Sequence, residues 1–187
     1  MRTLNLQLVG STPLLLHPIS RHQLREQIAS TKGATLTIEE EAREIIVKGV
    51  DGNPAIPVSW LWDSLRVGCS RITVEKKQVS FTRLQSLIKL PEGFLSLRDT
   101  DNHVPTWEPY SSLQHAAPGS KKSVAVVAPK FKDWMLVVTV QLPADILIND
   151  ALENRVLVER IFAEAGRVGI GLFHPPKKHF GQFRVLQ

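Results

Sequence analysis

Both ends of this chain alternate between apolar and polar residues, and this pattern limits its fold more than any other feature. Near the N-terminus, Leu4, Leu6 and Leu8 alternate with polar neighbours, and Phe180 to Leu186 alternates in the same way. A period of two is typical of a half-buried strand and differs from the continuous apolar run of a signal helix. The sequence therefore predicts one strand near each end.

Helical signals follow the first of these strands. Thr37 to Glu40 has the spacing of a capping box, and Gly49 is expected to close the helix that it opens. A second helix is predicted over Trp60 to Val67, just after Pro57, because its apolar residues recur at helical spacing. A shorter helix is predicted over Ser20 to Thr31.

Strands and one more helix are predicted in the second half. Ser123 to Ala128 and Trp134 to Leu142 are rich in valine and therefore typical of strands. Asn149 or Asp150 is expected to cap a helix that runs to about Ala165 and stops at Gly166. One stripe of that helix is apolar: Val158, Ile161, Phe162 and Ala165.

Residues 78–132 are interpreted as an excursion inserted into this order. Phe81 to Leu97 contains strand-like pieces, and Asp99 to Ser123 is polar and punctuated by prolines. Trp107 and Tyr110 within it are either local packing residues or contact residues. Strands, helices and this excursion in such an order predict one α+β domain over residues 1–187, with an antiparallel sheet and helices on a single face.

Composition excludes several classes of protein. With 43% hydrophobic residues the chain can bury a core, so a mainly disordered state is excluded. The single cysteine, Cys69, allows no internal disulfide and no cysteine pair for a zinc site. The best apolar run is shorter than the roughly 20 residues of a membrane-spanning helix, so no membrane partner is expected.

Basic residues are concentrated at both ends of the chain. The formal net charge is +5, yet residues 1–25 and 165–187 contain no aspartate or glutamate. Because the first and last strands are neighbours in a split βαβ sheet, these stretches are expected to merge into one basic surface suited to phosphates. Scattered, solvated charge is the alternative. The predicted phosphate-binding residues are Arg21, Arg25, Arg167, Lys177, Lys178 and Arg184.

A glycine-rich stretch lies in the second basic end. Gly166 to Phe173 follows a helix and precedes a strand, which is the wrong order for a dinucleotide-binding fingerprint. Gly169 and Gly171 are instead expected to let the backbone come close to a ligand or to another backbone. A helix cap followed by a plain turn is the alternative.

The first strand, the segment Asn53 to Arg66 and the segment from Gly169 to Phe183 resemble the RAMP superfamily, the repeat-associated proteins of CRISPR effector complexes. The resemblance is greatest to the backbone subunits that polymerise along guide RNA, and it extends to RAMP-like proteins of bacteriophages. It implies an RRM-like (ferredoxin-like) fold, a partner RNA, copies of the same chain and other effector subunits as partners. It also implies a thumb-like β-hairpin in the excursion, with Trp107, Tyr110, Lys121 and Lys122 as its nucleic-acid contacts.

The chain departs from the family pattern in two places. Val58 stands where the family has glycine, and Trp60 and Trp62 replace small or basic residues at the start of the helix. The cleaving members use an aspartate soon after the first strand, whereas the segment from Gly10 to Arg25 has no acidic residue. Target cleavage of that kind is therefore not expected.

The sequence predicts a protein that binds single-stranded nucleic acid without cleaving it, with RNA favoured over DNA. A phage single-stranded DNA-binding or recombination protein is an alternative, and an assembly protein with an acidic partner is another. A metal-independent endoribonuclease would use His179, the best-placed histidine, or His17 as acid or base. No cofactor and no metal are predicted, His179 is also a candidate phosphate contact, and the expected location is the cytoplasm of a prokaryotic or phage-infected cell.

Overall fold

The computed structural model describes residues 2–17, 36–115, 123–144, 146–148, 153–172 and 179–186, with the backbone alone for 113–115 and 123–125. This part is a mixed α+β structure with several small antiparallel sheets. Its helices are α1 (Ile38–Glu44), α2 (Val58–Arg71), α3 (Phe81–Leu87) and α4 (Asn154–Val168). Its strands are β1 (Arg2–Gly10), β2 (Leu14–Leu15), β3 (Ala55–Pro57), β4 (Thr73–Val74), β5 (Lys77–Gln78), β6 (Phe94–Ser96), β7 (Glu108–His115), β8 (Ser123–Phe131), β9 (Met135–Leu142) and β10 (Phe183–Leu186).

The main sheet has the strand order β10-β1-β9, and both pairings are antiparallel. The two predicted terminal strands are thus confirmed, and they are neighbours: Gly10 pairs with Phe183 and Gln7 with Leu186. On the other side of the sheet, residues 89–98 run beside β9 through two antiparallel bridges, from Lys89 to Gln141 and from Arg98 to Met135.

A second sheet, in the order β2-β8-β7, contains the hairpin formed by β7 and β8. Its register pairs Glu108 with Lys130 at the base of the hairpin and His115 with Ser123 at the far end. β2 continues the sheet because Leu15 pairs with Lys130. Helix α1 packs against this hairpin.

One face of the main sheet is buried by α2 and α4. Alternate residues of β1 and β9, such as Leu8 and Val138, are fully buried beneath them, as the period-two pattern requires. The predicted stripe of α4 is buried in full. The two helices lie close together, since the Ser64 hydroxyl donates to the Ala165 carbonyl over 2.8 Å. They run antiparallel, since Gly68, one turn later in α2, lies against Ile161, one turn earlier in α4.

Helix α1 confirms the predicted capping box but not the predicted end. The Glu40 N–H donates to Thr37 Oγ1, and the Glu40 carboxylate accepts from the Thr37 N–H. The helix ends at Glu44, with Ile45 as its C-cap, and so stops before Gly49. The chain leaves the helix early because the Ala55 N–H donates to the Val47 carbonyl, a pairing that needs extended backbone.

Helix α4 runs past Gly166, which the sequence had placed at its end. The helix continues to Val168 with Gly169 as its C-cap, so the prediction was wrong. Gly166 is required inside the helix because a Cβ there would clash with the carbonyl of Phe183 on β10. The N-cap is Glu153; Asn149 and Asp150 lie outside the described residues, as do Ser20 to Thr31.

The predicted excursion at 78–132 divides into two parts. Its first part contains helix α3, where strand-like pieces were predicted, because the Ser80 hydroxyl caps the Arg83 N–H and sets up a helical turn. Leu84, Ile88 and Leu97 from this part belong to the hydrophobic core. Its second part is the β7–β8 hairpin.

Among the described residues, none of the helices combines the length and the apolar character that crossing a bilayer requires.

Candidate nucleic-acid interface

The glycine segment after α4 is joined by hydrogen bonds to the β1–β2 turn and to the start of β10. The Ile170 N–H donates to the Gly181 carbonyl over 3.0 Å, and the Gly181 N–H donates to the Pro13 carbonyl over 2.8 Å. The Leu172 N–H donates to the Leu15 carbonyl over 2.9 Å. Residues from the two acid-free stretches therefore form one continuous backbone network at this end of the molecule.

Gly169 and Gly171 are both required by this network. Their φ angles are +82° and +81°, a region that other residues rarely adopt. A Cβ at Gly171 would lie 2.5 Å from the Leu15 carbonyl oxygen, and one at Gly169 would lie 3.0 Å from the Gly181 oxygen. The close approach is thus to another stretch of the protein's own backbone. The sequence had left open whether these glycines approach a ligand or a backbone.

Arg184 lies on the outer face of the main sheet, away from the helices. It pairs in register with Val9, and its side chain is exposed. The cation therefore faces solvent beside the first strand, where the sequence predicted basic residues from the two ends to meet.

Arg167 lies in the last turn of α4 and is paired with a carboxylate. Its guanidinium is 2.6 Å from Glu164 Oε1, and its side chain is 73% exposed. The Gln182 side-chain amide donates to the Arg167 carbonyl, which ties this turn to β10. Because exposed ion pairs are weak and screened by salt, a phosphate can compete with Glu164 for Arg167.

The two candidate histidines have different surroundings. His179 is exposed at the start of the last described segment. The ring of His17 stacks on Trp60, with centroids 4.3 Å apart and planes 23° from parallel. The stacked geometry gives His17 a packing role at the start of α2.

Trp107 and Tyr110 both make contacts within the protein. Trp107 is half-buried against the core. The Tyr110 ring meets the ring of Phe180 edge-on, with centroids 5.6 Å apart. These contacts give both residues a local packing role and attach the hairpin to the second acid-free stretch.

The structure adds a cation pair that sequence reasoning missed. Glu108 lies between two ammonium groups: Lys130 Nζ is 2.8 Å from Oε1, and Lys132 Nζ is 2.7 Å from Oε2. Hydrogen bonds from these lysines lower the pKa of the Glu108 carboxyl, so it is charged at neutral pH. The only sequence signal was the Lys-Phe-Lys spacing at the end of β8, since Glu108 is 22 residues away from Lys130.

Sequence reasoning also did not identify the residues on the outer face of the main sheet, the face away from α2 and α4. Its central residues are exposed amides and hydroxyls, and the Thr139 hydroxyl donates to Asn5 Oδ1 over 3.0 Å. Val137 is 48% exposed among them. On the described strands β1, β9 and β10 this face bears no aromatic residue and no acid: Thr3, Asn5, Gln7, Val9, Met135, Val137, Thr139, Gln141, Arg184 and Leu186. On these three strands the face therefore lacks the exposed rings on which RRM domains stack bases.

Several predicted contacts lie outside the described residues: Arg21, Arg25, Lys121, Lys122, Lys177 and Lys178. In the loop at residues 99–103, the His103 N–H donates to Asp99 Oδ1, so this carboxylate holds the loop together. In the part of the chain that the structure describes, no three potential metal-ligating side chains come together.

Compared with models of known protein families and with curated proteins, the chain gives no match.

Proposed function

We propose that the protein binds single-stranded nucleic acid along the face formed by its two acid-free terminal stretches, without cleaving it. The observation that carries this proposal is the antiparallel pairing of β1 with β10. Residues 1–25 and 165–187 contain no carboxylate side chain, and this pairing joins residues 7–10 of the first stretch to residues 183–186 of the second. Cations exposed on such a surface attract phosphates, and binding to a nucleic-acid backbone depends on that attraction.

The strand order supports an RRM-like, ferredoxin-like fold for this protein. In that fold the last strand borders the first, the first borders the third, and the third borders the second. Here β10, β1, β9 and residues 89–98 follow the same order, and α2 and α4 cover one face. This agreement is the structural support for the family resemblance, and with it for RNA over DNA.

The proposal extends to cations outside the described residues: Arg21, Arg25, Lys177 and Lys178. The described residues that precede Arg21 and Arg25 end at His17, two residues after Leu15, and those that precede Lys177 and Lys178 end at Leu172. Leu15 and Leu172 are hydrogen-bonded to each other. The described residues nearest in sequence to the two basic segments are therefore neighbours, and the proposal gives the cations of both segments the same phosphate-binding role as Arg184. Together these cations are named the proposed track.

Binding of this kind depends on charge and shape more than on base identity. The outer face of β1, β9 and β10 offers amides and hydroxyls but no rings, so phosphate contacts supply most of the affinity. Repeated copies of the chain along one strand would each cover a short length of backbone, as the resemblance to effector backbone subunits implies. The alternatives are single-stranded DNA in a phage system and cleavage through His179 or His17.

The test is binding of labelled single-stranded RNA and DNA followed by fluorescence anisotropy across a salt series. We expect RNA to bind more tightly than DNA, with affinity falling steeply between about 50 and 200 mM salt. Lys177→Gln/Lys178→Gln should weaken binding about tenfold and flatten the salt dependence by roughly 1.4 in slope, since each phosphate contact on a single strand contributes about 0.7.

The matched control is Lys76→Gln/Lys77→Gln, an exposed lysine pair beyond the other end of α2. Equal loss in both double variants would show nonspecific attraction and would contradict the proposed track. Electrophoresis of the recovered RNA distinguishes the remaining alternative: intact strands agree with binding, whereas fragments that disappear in His179→Ala would establish an endoribonuclease.

A further inference from the structure

At the base of the β7–β8 hairpin, one carboxylate lies between two lysine ammonium groups. Glu108 pairs across the strands with Lys130, and Lys132 follows in the turn after β8. One carboxylate oxygen contacts each ammonium group, at 2.8 and 2.7 Å. Two lysines are therefore held together by one acid, and the cluster keeps a net positive charge.

The arrangement has the geometry of a phosphodiester contact. The two non-bridging oxygens of a phosphate are spaced much like the two oxygens of a carboxylate, and both accept hydrogen bonds from lysine. Glu108 thus fills the position that the two oxygens would take between Lys130 and Lys132. Lys132 and Glu108 are 66% and 43% exposed at their side chains, so an incoming strand can reach them.

The cluster lies between the two acid-free stretches. On one side, Leu15 pairs with Lys130 in the sheet, and Leu15 belongs to the first stretch. On the other side, Tyr110 follows Glu108 on the same face of β7 and contacts Phe180 of the second stretch. A strand that follows the proposed track would therefore pass this cluster.

We propose that Lys130 and Lys132 bind a phosphate of the single strand, and that Glu108 competes with that phosphate for them. This inference rests on the proposed function. A bound strand displaces the carboxylate from the lysines, so Glu108 lowers affinity at every site along the polymer. The carboxylate thereby opposes tight, unspecific retention of short strands.

The experiment uses a labelled oligouridylate and the full chain. Glu108→Gln frees two ammonium groups and should tighten binding about threefold to tenfold, with a steeper salt dependence. Lys132→Gln should weaken binding by about the same factor. The control for the lost negative charge is Glu75→Gln, an exposed acid in the β4–β5 turn beyond the far end of α2, which should leave affinity within about twofold.

The results separate the two proposals. If Glu108→Gln and Glu75→Gln change affinity equally, while Lys177→Gln/Lys178→Gln weakens it, the competing position is wrong and the proposed function stands. If the unaltered protein binds neither RNA nor DNA, the proposed function is wrong, and this inference falls with it. Circular dichroism of each variant, with a thermal melt, establishes that affinity is compared between folded proteins.

Discussion

Two regions of the molecule are held together in different ways. One is the helix-covered face of the main sheet, and the other, the glycine end, is where the glycine segment after α4 meets the β1–β2 turn. Between the sheet and its helices, apolar side chains such as Leu136, Ile161 and Phe162 are fully buried. At the glycine end, backbone hydrogen bonds and the positive φ angles of three glycines define the shape. The first region is stabilised by burial of apolar side chains, whereas the path of the chain in the second is set by backbone hydrogen bonds. Stability should therefore depend on side-chain volume in the first region and on backbone conformation in the second.

The largest effect should come from the helix-covered face. Phe162→Ala removes a fully buried ring on α4 and should lower the free energy of unfolding by about 3 to 5 kcal/mol. Denaturant unfolding measures it. The control on the same helix is Val156→Ala, which is 42% exposed and should change stability by no more than about 0.5 kcal/mol. Equal losses would show that α4 is not packed as described.

The glycine end should respond to a single methyl group. Gly171→Ala combines an unfavourable positive φ with contact against the Leu15 carbonyl. It should lower the free energy of unfolding, measured by denaturant, by about 2 to 4 kcal/mol. Gly93→Ala is the matched control, because its φ is +77° and nothing lies within 4 Å of the added Cβ. This control should lower the free energy of unfolding by only about 1 to 2 kcal/mol. Similar losses would mean that the close approach to Leu15 does not matter.

One side chain connects the two regions. Trp134 is fully buried, and its indole N–H donates to the Thr12 carbonyl over 2.8 Å. Trp134→Phe leaves that carbonyl without its donor and should cost about 1 to 3 kcal/mol in a thermal or denaturant melt. Trp62→Phe, at a half-buried indole edge-on to Phe81, should cost less. The opposite ranking would contradict the proposed role of the Thr12 contact.

The smallest effect should be a change in acid sensitivity at the hairpin base. The folded-state pKa of Glu108 is below its ordinary value of 4.5, so its ion pairs stabilise the protein above about that pH. As pH falls through the folded pKa, the carboxyl is protonated and this stabilisation is lost. Glu108→Gln should therefore flatten the decline of stability in acid, measured as denaturation midpoints at neutral pH and below 4.5. An unchanged acid profile would contradict the ion pairs.

The sequence predicted the elements that depend on local pattern. The alternation of Leu4, Leu6 and Leu8 and the apolar stripe of α4 each follow from one period, and both were confirmed. The capping box at Thr37 was confirmed for the same reason, since its donors and acceptors are three residues apart.

Features that depend on distant partners were not predictable in this way. Gly166 looks like a helix end, and only its contact with Phe183 explains why it lies within α4. Likewise, the ion pairs of Glu108 join residues 22 positions apart through the hairpin register. The placement of Arg184 beside Val9 followed from the expected pairing of the end strands, whereas the outer sheet face required the register itself.

The pairing of β1 has a consequence for how the chain folds. Both neighbours of this strand come from the last third of the sequence: Arg2 pairs with Leu142 and Gly10 with Phe183. During synthesis the strand must wait for more than a hundred residues before it has a sheet partner. Contacts so distant along the chain slow folding and leave strand edges exposed in the meantime. In nascent chains of this protein β1 should therefore stay unpaired, and prone to aggregation, until β9 and β10 have been synthesised.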